Sequence, residues 1–169
     1  PHTGEALMAG LSERLTSDTV RAVPDTDFHL HRLYDFVPSL GATLLYANYS
    51  RYVVDLNRPE SGAPLYPGRN ETGLVPVSTF AGEALYRAGD EPDATEVEQR
   101  LAHYYRPYHA RLQTLLLGLV QQHGYALLFD AHSIRSRVPR FFQGELPGLM
   151  LGDVDGTSCD PRVADAVYA

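Results

Sequence analysis

The feature that most constrains the fold is a long helical pattern, residues 91–123, that leads directly into a short apolar run. Apolar side chains recur at helical spacing from Val97 to Leu116. Gly124 then supplies a helix stop, and residues 125–129 are apolar enough to form a buried strand. Helices that alternate with apolar strands predict an α/β protein with a largely parallel sheet.

Further elements are predicted on the N-terminal side of this pair. The pattern predicts helices over residues 5–15 and 27–36, strands over 42–47 and 52–56, and an edge strand over 75–79 inside a long irregular segment, 57–93. Pro107 is expected to kink or split the long helix, because proline cannot donate a backbone hydrogen bond.

Composition narrows the class of protein. The 169 residues are 44% hydrophobic and 21% charged, which is typical of one soluble globular domain. A net charge of −7 argues against a nucleic-acid surface, and every apolar run is far shorter than the roughly 18 residues of a membrane span. The single cysteine, Cys159, excludes an internal disulfide and favours a reducing, cytoplasmic location.

Two histidines lie where strands are expected to end. His132 follows the apolar run 125–129, and His2 lies in the turn-like segment PHTG. Neutral imidazole is a standard zinc ligand, and one carboxylate would complete a three-ligand site. Asp130 would share a strand face with His132 and orient it, although a turn or capping aspartate fits the same position.

Three carboxylates are candidates for the third ligand. Glu5 has a His-x-x-Glu spacing from His2, a pattern that also arises often by chance. Asp25 and Asp27 flank an expected helix start, where capping explains one acidic residue but explains a pair less well.

Several arginines are candidates for binding an anionic substrate. A strand over 52–56 would deliver Asn57 and Arg58 to a loop, where an amide and a guanidinium suit a substrate carboxylate. Arg135 and Arg137 would add a second cationic contact, and exposed arginines without a role are the alternative.

These motifs, in this order, resemble the N-formylglutamate amidohydrolase family. The matching stretches cover nearly the whole chain: PHTG at 1–4, VPDTDFHLHRLYDF at 23–36, SRYVVDLNRP at 50–59, LYPG at 65–68, RPYH at 106–109, DAHSIRS at 130–136 and GTSCDP at 156–161.

The resemblance implies a three-layer α/β/α sandwich with a mostly parallel sheet, of the zinc exopeptidase-like (phosphorylase/hydrolase-like) kind. It also implies one zinc ion per chain, held by His2, His132 and a carboxylate. Asp25 is the first choice, because related cell-wall amidases have an acidic ligand at the corresponding helix start. Asp27 is the second choice, and Glu5 is weaker. The other site residues implied or suggested are Asn57, Arg58 and Arg135 for the substrate, with Asp27, Asp130 and Ser133 in support.

The implied reaction is hydrolysis of N-formyl-L-glutamate to L-glutamate and formate, in histidine degradation. The alternatives are another N-acyl amino acid hydrolase, a cell-wall amidase of the same fold, or a non-catalytic metal-binding remnant. Members of the family continue past residue 169, where their general-base glutamate is expected, and Glu145 is a poor substitute. We therefore expect a single domain, 1–169, that is incomplete at both ends. The expected partner is a small anionic substrate, with neither nucleic acid nor membrane, and the oligomeric state stays open.

Overall fold

The computed structural model describes residues 1–65, 68 and 70–168, with the backbone alone for Tyr168. The elements, in chain order, are α1 (Leu11–Arg14), α2 (Asp18–Arg21), α3 (Leu30–Leu33), a 3-10 helix (Val37–Leu40), α4 (Ala94–Arg100), a π-helical turn (Leu101–Tyr105), α5 (Arg106–His123) and α6 (Pro161–Tyr168). In the described part of the chain, no helix is both long enough and apolar enough to cross a membrane.

The predicted long helix is confirmed as one continuous helical segment from α4 to the end of α5. Its first turn is capped by Asp93, whose carboxylate accepts a hydrogen bond of 2.8 Å from the backbone N–H of Glu96. It ends at Gly124, which has a left-handed φ of 80°. The expected disturbance at Pro107 takes the form of the π-helical turn Leu101–Tyr105, just before the proline.

The predicted sheet, and with it the three-layer α/β/α sandwich, is wrong for the described residues. Strand pairing is limited there to three isolated bridges: Ala6 with Tyr49, Leu15 with Tyr86, and Ser78 with Ala84. The expected strands 42–47 and 125–129 have no regular hydrogen-bonded structure, and the edge strand 75–79 is reduced to the bridge at Ser78. Apolar runs alone do not make a sheet, since each strand also needs a partner in register.

The expected strand 52–56 is instead a turn, because its backbone hydrogen bonds close locally. The N–H of Val53 donates to the carbonyl of Ser50 at 2.9 Å, and the N–H of Tyr52 donates to the Ser50 hydroxyl at 3.2 Å. The N–H of Asp55 reaches across the chain to the carbonyl of Leu74 at 2.7 Å.

The two predicted N-terminal helices are shorter than expected, for reasons visible in the backbone. The N–H of Ala6 donates to Asn48 at 3.1 Å and its carbonyl accepts from Ser50 at 2.8 Å, so α1 begins only at Leu11. The expected helix 27–36 is replaced by α3 and the 3-10 helix, and His29 precedes α3 with a left-handed φ of 64°.

Residues 50–56 form the buried centre of the fold. Tyr52 and Val53 pack into one hydrophobic cluster with α1, and Val54 and Leu56 pack into a second one beside the π-helical turn. Arg100, 1% exposed, stabilises this segment by donating hydrogen bonds of 3.1 and 3.0 Å to the carbonyls of Tyr52 and Val53. The polar residues of the same segment are thereby held at fixed positions between the two clusters.

Candidate metal centre

His2, Asp27 and His132 converge, with one ligand atom from each lying within 4.8 Å of the others. Oδ2 of Asp27 lies 3.0 Å from Nδ1 of His132 and 3.7 Å from Nδ1 of His2. His2 and Asp27 are buried, whereas the side chain of His132 is 36% exposed. The cluster is thus accessible from the side of His132.

Each histidine meets a second carboxylate through its other ring nitrogen. Nε2 of His2 lies 2.7 Å from Oδ1 of Asp55, and Nε2 of His132 lies 3.1 Å from Oδ2 of Asp130. Histidines that bind metals commonly have such an outer carboxylate, which fixes the tautomer and the ring orientation. This arrangement leaves both Nδ1 atoms directed at Asp27. The orienting role suggested for Asp130 is compatible with this geometry and stays a prediction.

The backbone around His2 brings two distant segments together. The carbonyl of His2 accepts a hydrogen bond of 3.0 Å from the N–H of Asp27, which places this aspartate beside the histidine. Gly4 lies so close to the segment 48–49 that a Cβ atom there would be 2.3 Å from the carbonyl oxygen of Tyr49. The glycine of the PHTG motif is therefore required for close packing.

The charged groups of the cluster shift the pKa values of their neighbours. Burial alone would raise the pKa of Asp27, but its contacts with His132 and His2 and the charge of Arg51 lower this pKa well below its ordinary value. Burial alone would lower the pKa of His132, but the carboxylates of Asp130 and Asp27 raise it to about 9. A raised pKa favours the protonated form of His132 at neutral pH, so zinc binding at its Nδ1 would release the proton from that nitrogen while Nε2–H stays directed at Asp130.

Arg51 and Asp55 belong to the centre through their contacts with His2, and neither was predicted as a site residue from the sequence. The Arg51 guanidinium donates to Nδ1 of His2 and lies 3.6 Å from Asp27 and 3.8 Å from Asp55. It also lies over the Phe80 ring, 4.7 Å from the centroid. The available signal was an acidic residue inside the apolar run YVVDL, because a charged side chain in such a run is buried only with partners.

Asp25, the first choice for the carboxylate ligand, does not join the cluster of histidines. Its Oδ2 accepts hydrogen bonds of 2.7 Å from the Tyr52 hydroxyl and 2.8 Å from the N–H of Phe80. Its Oδ1 lies 3.7 Å from the guanidinium of Arg135 and accepts no hydrogen bond from any described residue. The structure brings Asp27 to the cluster instead, so the proposed carboxylate ligand changes from Asp25 to Asp27.

The predicted substrate residues make different contacts. Nδ2 of Asn57 lies 3.4 Å from Nε2 of His132, which places Asn57 at its edge. Arg58 is held by a hydrogen bond of 2.8 Å from its Nε to the Thr72 carbonyl, and Arg135 is 57% exposed beside Asp25.

Other predicted features lie outside this cluster. Glu5 and Ser133 are exposed and do not join it, and Arg137 pairs with Glu145 at 2.7 Å. Tyr66 and Pro67 of the LYPG motif lie outside the described residues.

The family of the chain follows from its sequence comparisons. The family model for N-formylglutamate amidohydrolase matches residues 1–169. The chain belongs to the N-formylglutamate amidohydrolase family. This membership confirms the resemblance drawn from the DLNRP and DAHSIRS motifs.

Named relatives agree with this family. The chain is 47% identical over 165 residues to an N-formylglutamate deformylase of Pseudomonas putida, covering 98% of this chain and 61% of the relative. It is 49% identical over 169 residues to one of Pseudomonas aeruginosa, covering 100% of this chain and 63% of the relative. The chain thus spans less than two thirds of the length of these curated relatives.

A solved structure of a family member has a similar backbone. The crystal structure of N-formylglutamate amidohydrolase from Ralstonia eutropha JMP134 superposes with a TM-score of 0.81 at 30% identity. The match covers 99% of this chain and 64% of that chain.

Proposed function

We propose that this member of the N-formylglutamate amidohydrolase family acts in the hydrolysis of N-formyl-L-glutamate to L-glutamate and formate. One zinc ion would be held by His2, Asp27 and His132. The observation that carries the proposal is the convergence of these three side chains within 4.8 Å, from segments far apart in the chain. The names of the relatives support the choice of substrate.

The donor set fits zinc. Two imidazole nitrogens and one carboxylate form a common catalytic ligand set that leaves a coordination position for water. The chemistry that a bound zinc ion supplies is polarisation of a carbonyl group and a lowered pKa of a bound water. The Nε2–H of His2 is directed to Asp55, so Nδ1 carries the lone pair that would bind zinc in place of its present hydrogen bond from Arg51. Asp27 is ionised at neutral pH.

The substrate has two carboxylates, which require cationic or amide partners. Asn57, at the edge of the cluster, and Arg58 are proposed to bind one of them. Arg135 is proposed to bind the other, since its side chain is exposed beside the buried Asp25. We further propose a general-base glutamate outside residues 1–169, and a cytoplasmic location.

The test is elemental analysis of the purified protein after incubation with zinc, with His132→Ala as the disrupting variant. His103→Ala is the matched control, because His103 is exposed and its ring contacts the carbonyl of Gln99 and the ring of Tyr104, both on its own helix. We expect about one zinc per chain in the native protein and the control, and strong depletion in His132→Ala. Equal zinc content in all three proteins would contradict the ligand assignment.

Specificity is tested separately, by assaying formate release from N-formylglutamate beside N-acetylglutamate and N-formylaspartate. Preference for N-formylglutamate is expected. A preference for the acetyl compound would identify a different N-acyl amino acid hydrolase. Zinc binding without turnover of any of the three would favour the metal-binding remnant.

A further inference from the structure

The RPYH motif has no part in the proposed metal centre, yet two side chains at this motif reach the segment that carries Asn57 and Arg58. The hydroxyl of Tyr105, the residue just before the motif, donates a hydrogen bond of 2.7 Å to the carbonyl of Arg58. Nε2 of His109 lies 3.1 Å from the carbonyl of Leu56. Since a carbonyl oxygen only accepts, Nε2 of His109 must carry the hydrogen.

These two hydrogen bonds fall on either side of Asn57. The backbone N–H of Asn57 donates a hydrogen bond of 2.9 Å to Oδ1 of Asp55, so the buried segment 50–56 also restrains the backbone of Asn57. Its own side chain is exposed and lies 3.4 Å from Nε2 of His132. An exposed side chain on a backbone held from both sides is the arrangement needed for a substrate contact of fixed direction.

The helix presents the two donors together. Tyr105 and His109 are four residues apart, and their rings are in contact, tilted by 37° with centroids 4.2 Å apart. Tyr105 is the last residue of the π-helical turn, which adds one residue to the helical turn and so changes the direction of the side chains that follow. Arg100, before that turn, holds the carbonyls of Tyr52 and Val53. One helix therefore holds the central segment at both ends.

We propose that Tyr105 and His109 are positioning residues. They hold the backbone at Asn57 and Arg58 so that these two side chains can bind the substrate carboxylate. The inference rests on the proposed function for its substrate. Neither residue belongs to the zinc cluster, so its loss should affect substrate affinity and leave zinc content intact.

The test compares Tyr105→Phe, His109→Leu and His109→Gln in the zinc-loaded protein. Gln retains an N–H donor near the position of Nε2, whereas Leu does not. Tyr104→Phe is the matched control, because the Tyr104 ring packs edge-to-face on Tyr49, 4.6 Å away. We expect the KM for N-formylglutamate to rise about five- to tenfold in Tyr105→Phe and His109→Leu, the size expected for one lost hydrogen bond. The kcat and zinc content should stay near native, with KM largely restored in His109→Gln.

An unchanged KM in both variants would overturn the inference, as would an equal rise in Tyr104→Phe or a failure of His109→Gln to restore KM. A loss of zinc together with kcat would likewise overturn it, by showing general damage to the fold. Amide hydrogen exchange at Asn57 and Arg58, measured without substrate, separates this inference from the proposed function. Faster exchange in both variants at an unchanged melting temperature supports the positioning role even if the native protein does not release formate, and unchanged exchange contradicts it.

Discussion

Asp55 contacts His2 on the side of the ring opposite Asp27, with Oδ1 of Asp55 2.7 Å from Nε2 of His2. Burial alone would raise the pKa of Asp55, but its hydrogen bond with His2 and the charges of His2 and Arg51 lower this pKa to about 2. Asp55 is therefore an anion at every physiological pH. It holds the hydrogen of His2 on Nε2, so the lone pair is on Nδ1, where it accepts a hydrogen bond from Arg51. A metal bound at Nδ1 would take the place of this hydrogen bond.

The first prediction concerns this contact. Asp55→Asn should weaken zinc binding about 10- to 100-fold, because an amide no longer favours the tautomer that exposes Nδ1. Competition with a zinc chelator measures the change. Asp130→Asn should have a smaller effect, since Asp130 is 46% exposed and water can replace its contact with His132. Equal zinc affinity in native protein and Asp55→Asn would refute the orienting role.

The second prediction separates the two candidate carboxylates. Asp27→Asn should abolish stoichiometric zinc binding, because Asp27 is the carboxylate that lies beside both histidines. Asp25→Asn should retain zinc, since its carboxylate faces Tyr52 and the N–H of Phe80. Metal content after dialysis decides between them, and the opposite result would restore Asp25 as the ligand.

The third prediction concerns the substrate anchor. Arg58→Ala should raise the KM for N-formylglutamate at least about tenfold, because a charge-assisted contact with a carboxylate is lost. Zinc content should not change. Arg111→Ala, on the exposed surface of α5, is the control for a lost arginine charge. If Arg58→Ala also lost its zinc, the anchoring role would have to be abandoned in favour of a structural one.

The fourth prediction tests the close approach at the PHTG motif. Gly4→Ala should lower the free energy of unfolding by about 3 kcal/mol, because the new methyl group would meet backbone atoms that have no room to move. Gly118→Ala is the control, since a Cβ atom there meets nothing within 4 Å and alanine is favoured over glycine in a helix. Thermal unfolding measures both variants. Equal melting temperatures would show that segments 1–6 and 48–50 are not packed as described.

The fifth prediction is a pH dependence of stability. Oε1 of Glu96 accepts hydrogen bonds of 2.7 Å from Arg14 and 3.1 Å from Arg100. Burial alone would raise the pKa of Glu96, but these two arginines lower it. A lowered folded-state pKa stabilises the protein above the ordinary glutamate pKa, and this contribution is lost as the pH falls through the folded-state pKa.

Glu96→Gln should therefore lower the free energy of unfolding by about 1–2 kcal/mol at pH 7, and by less as the solution is acidified. Chemical denaturation at pH 7 and near pH 3 measures the difference. Glu98→Gln is the control, because Glu98 is exposed and its pair with Arg106 is on the surface. A difference between native protein and Glu96→Gln that stays constant with pH would contradict the ion-pair explanation.

Local sequence signals predicted the long helix well, but not the two N-terminal helices or the strands. The helix from α4 through α5 was predictable because its apolar spacing, its cap at Asp93 and its stop at Gly124 all act within a few residues. The predicted sheet was wrong for the described residues, because such local signals do not report strand pairing. The apolar runs 42–47 and 125–129 had the composition of strands, but pairing depends on partners that are distant in the chain.

The sequence by itself determined the long helix, the family, and the two histidines that meet in the metal centre, since these follow from local spacing and specific motifs. Only the tertiary structure decided that Asp27 rather than Asp25 meets them. Both aspartates lie in the same short segment, and their directions depend on long-range contacts: the N–H of Asp27 bonds to His2, while Asp25 bonds to Tyr52. The contribution of Asp55 has the same origin, because a carboxylate can orient a histidine 53 residues away only when folding brings the two together.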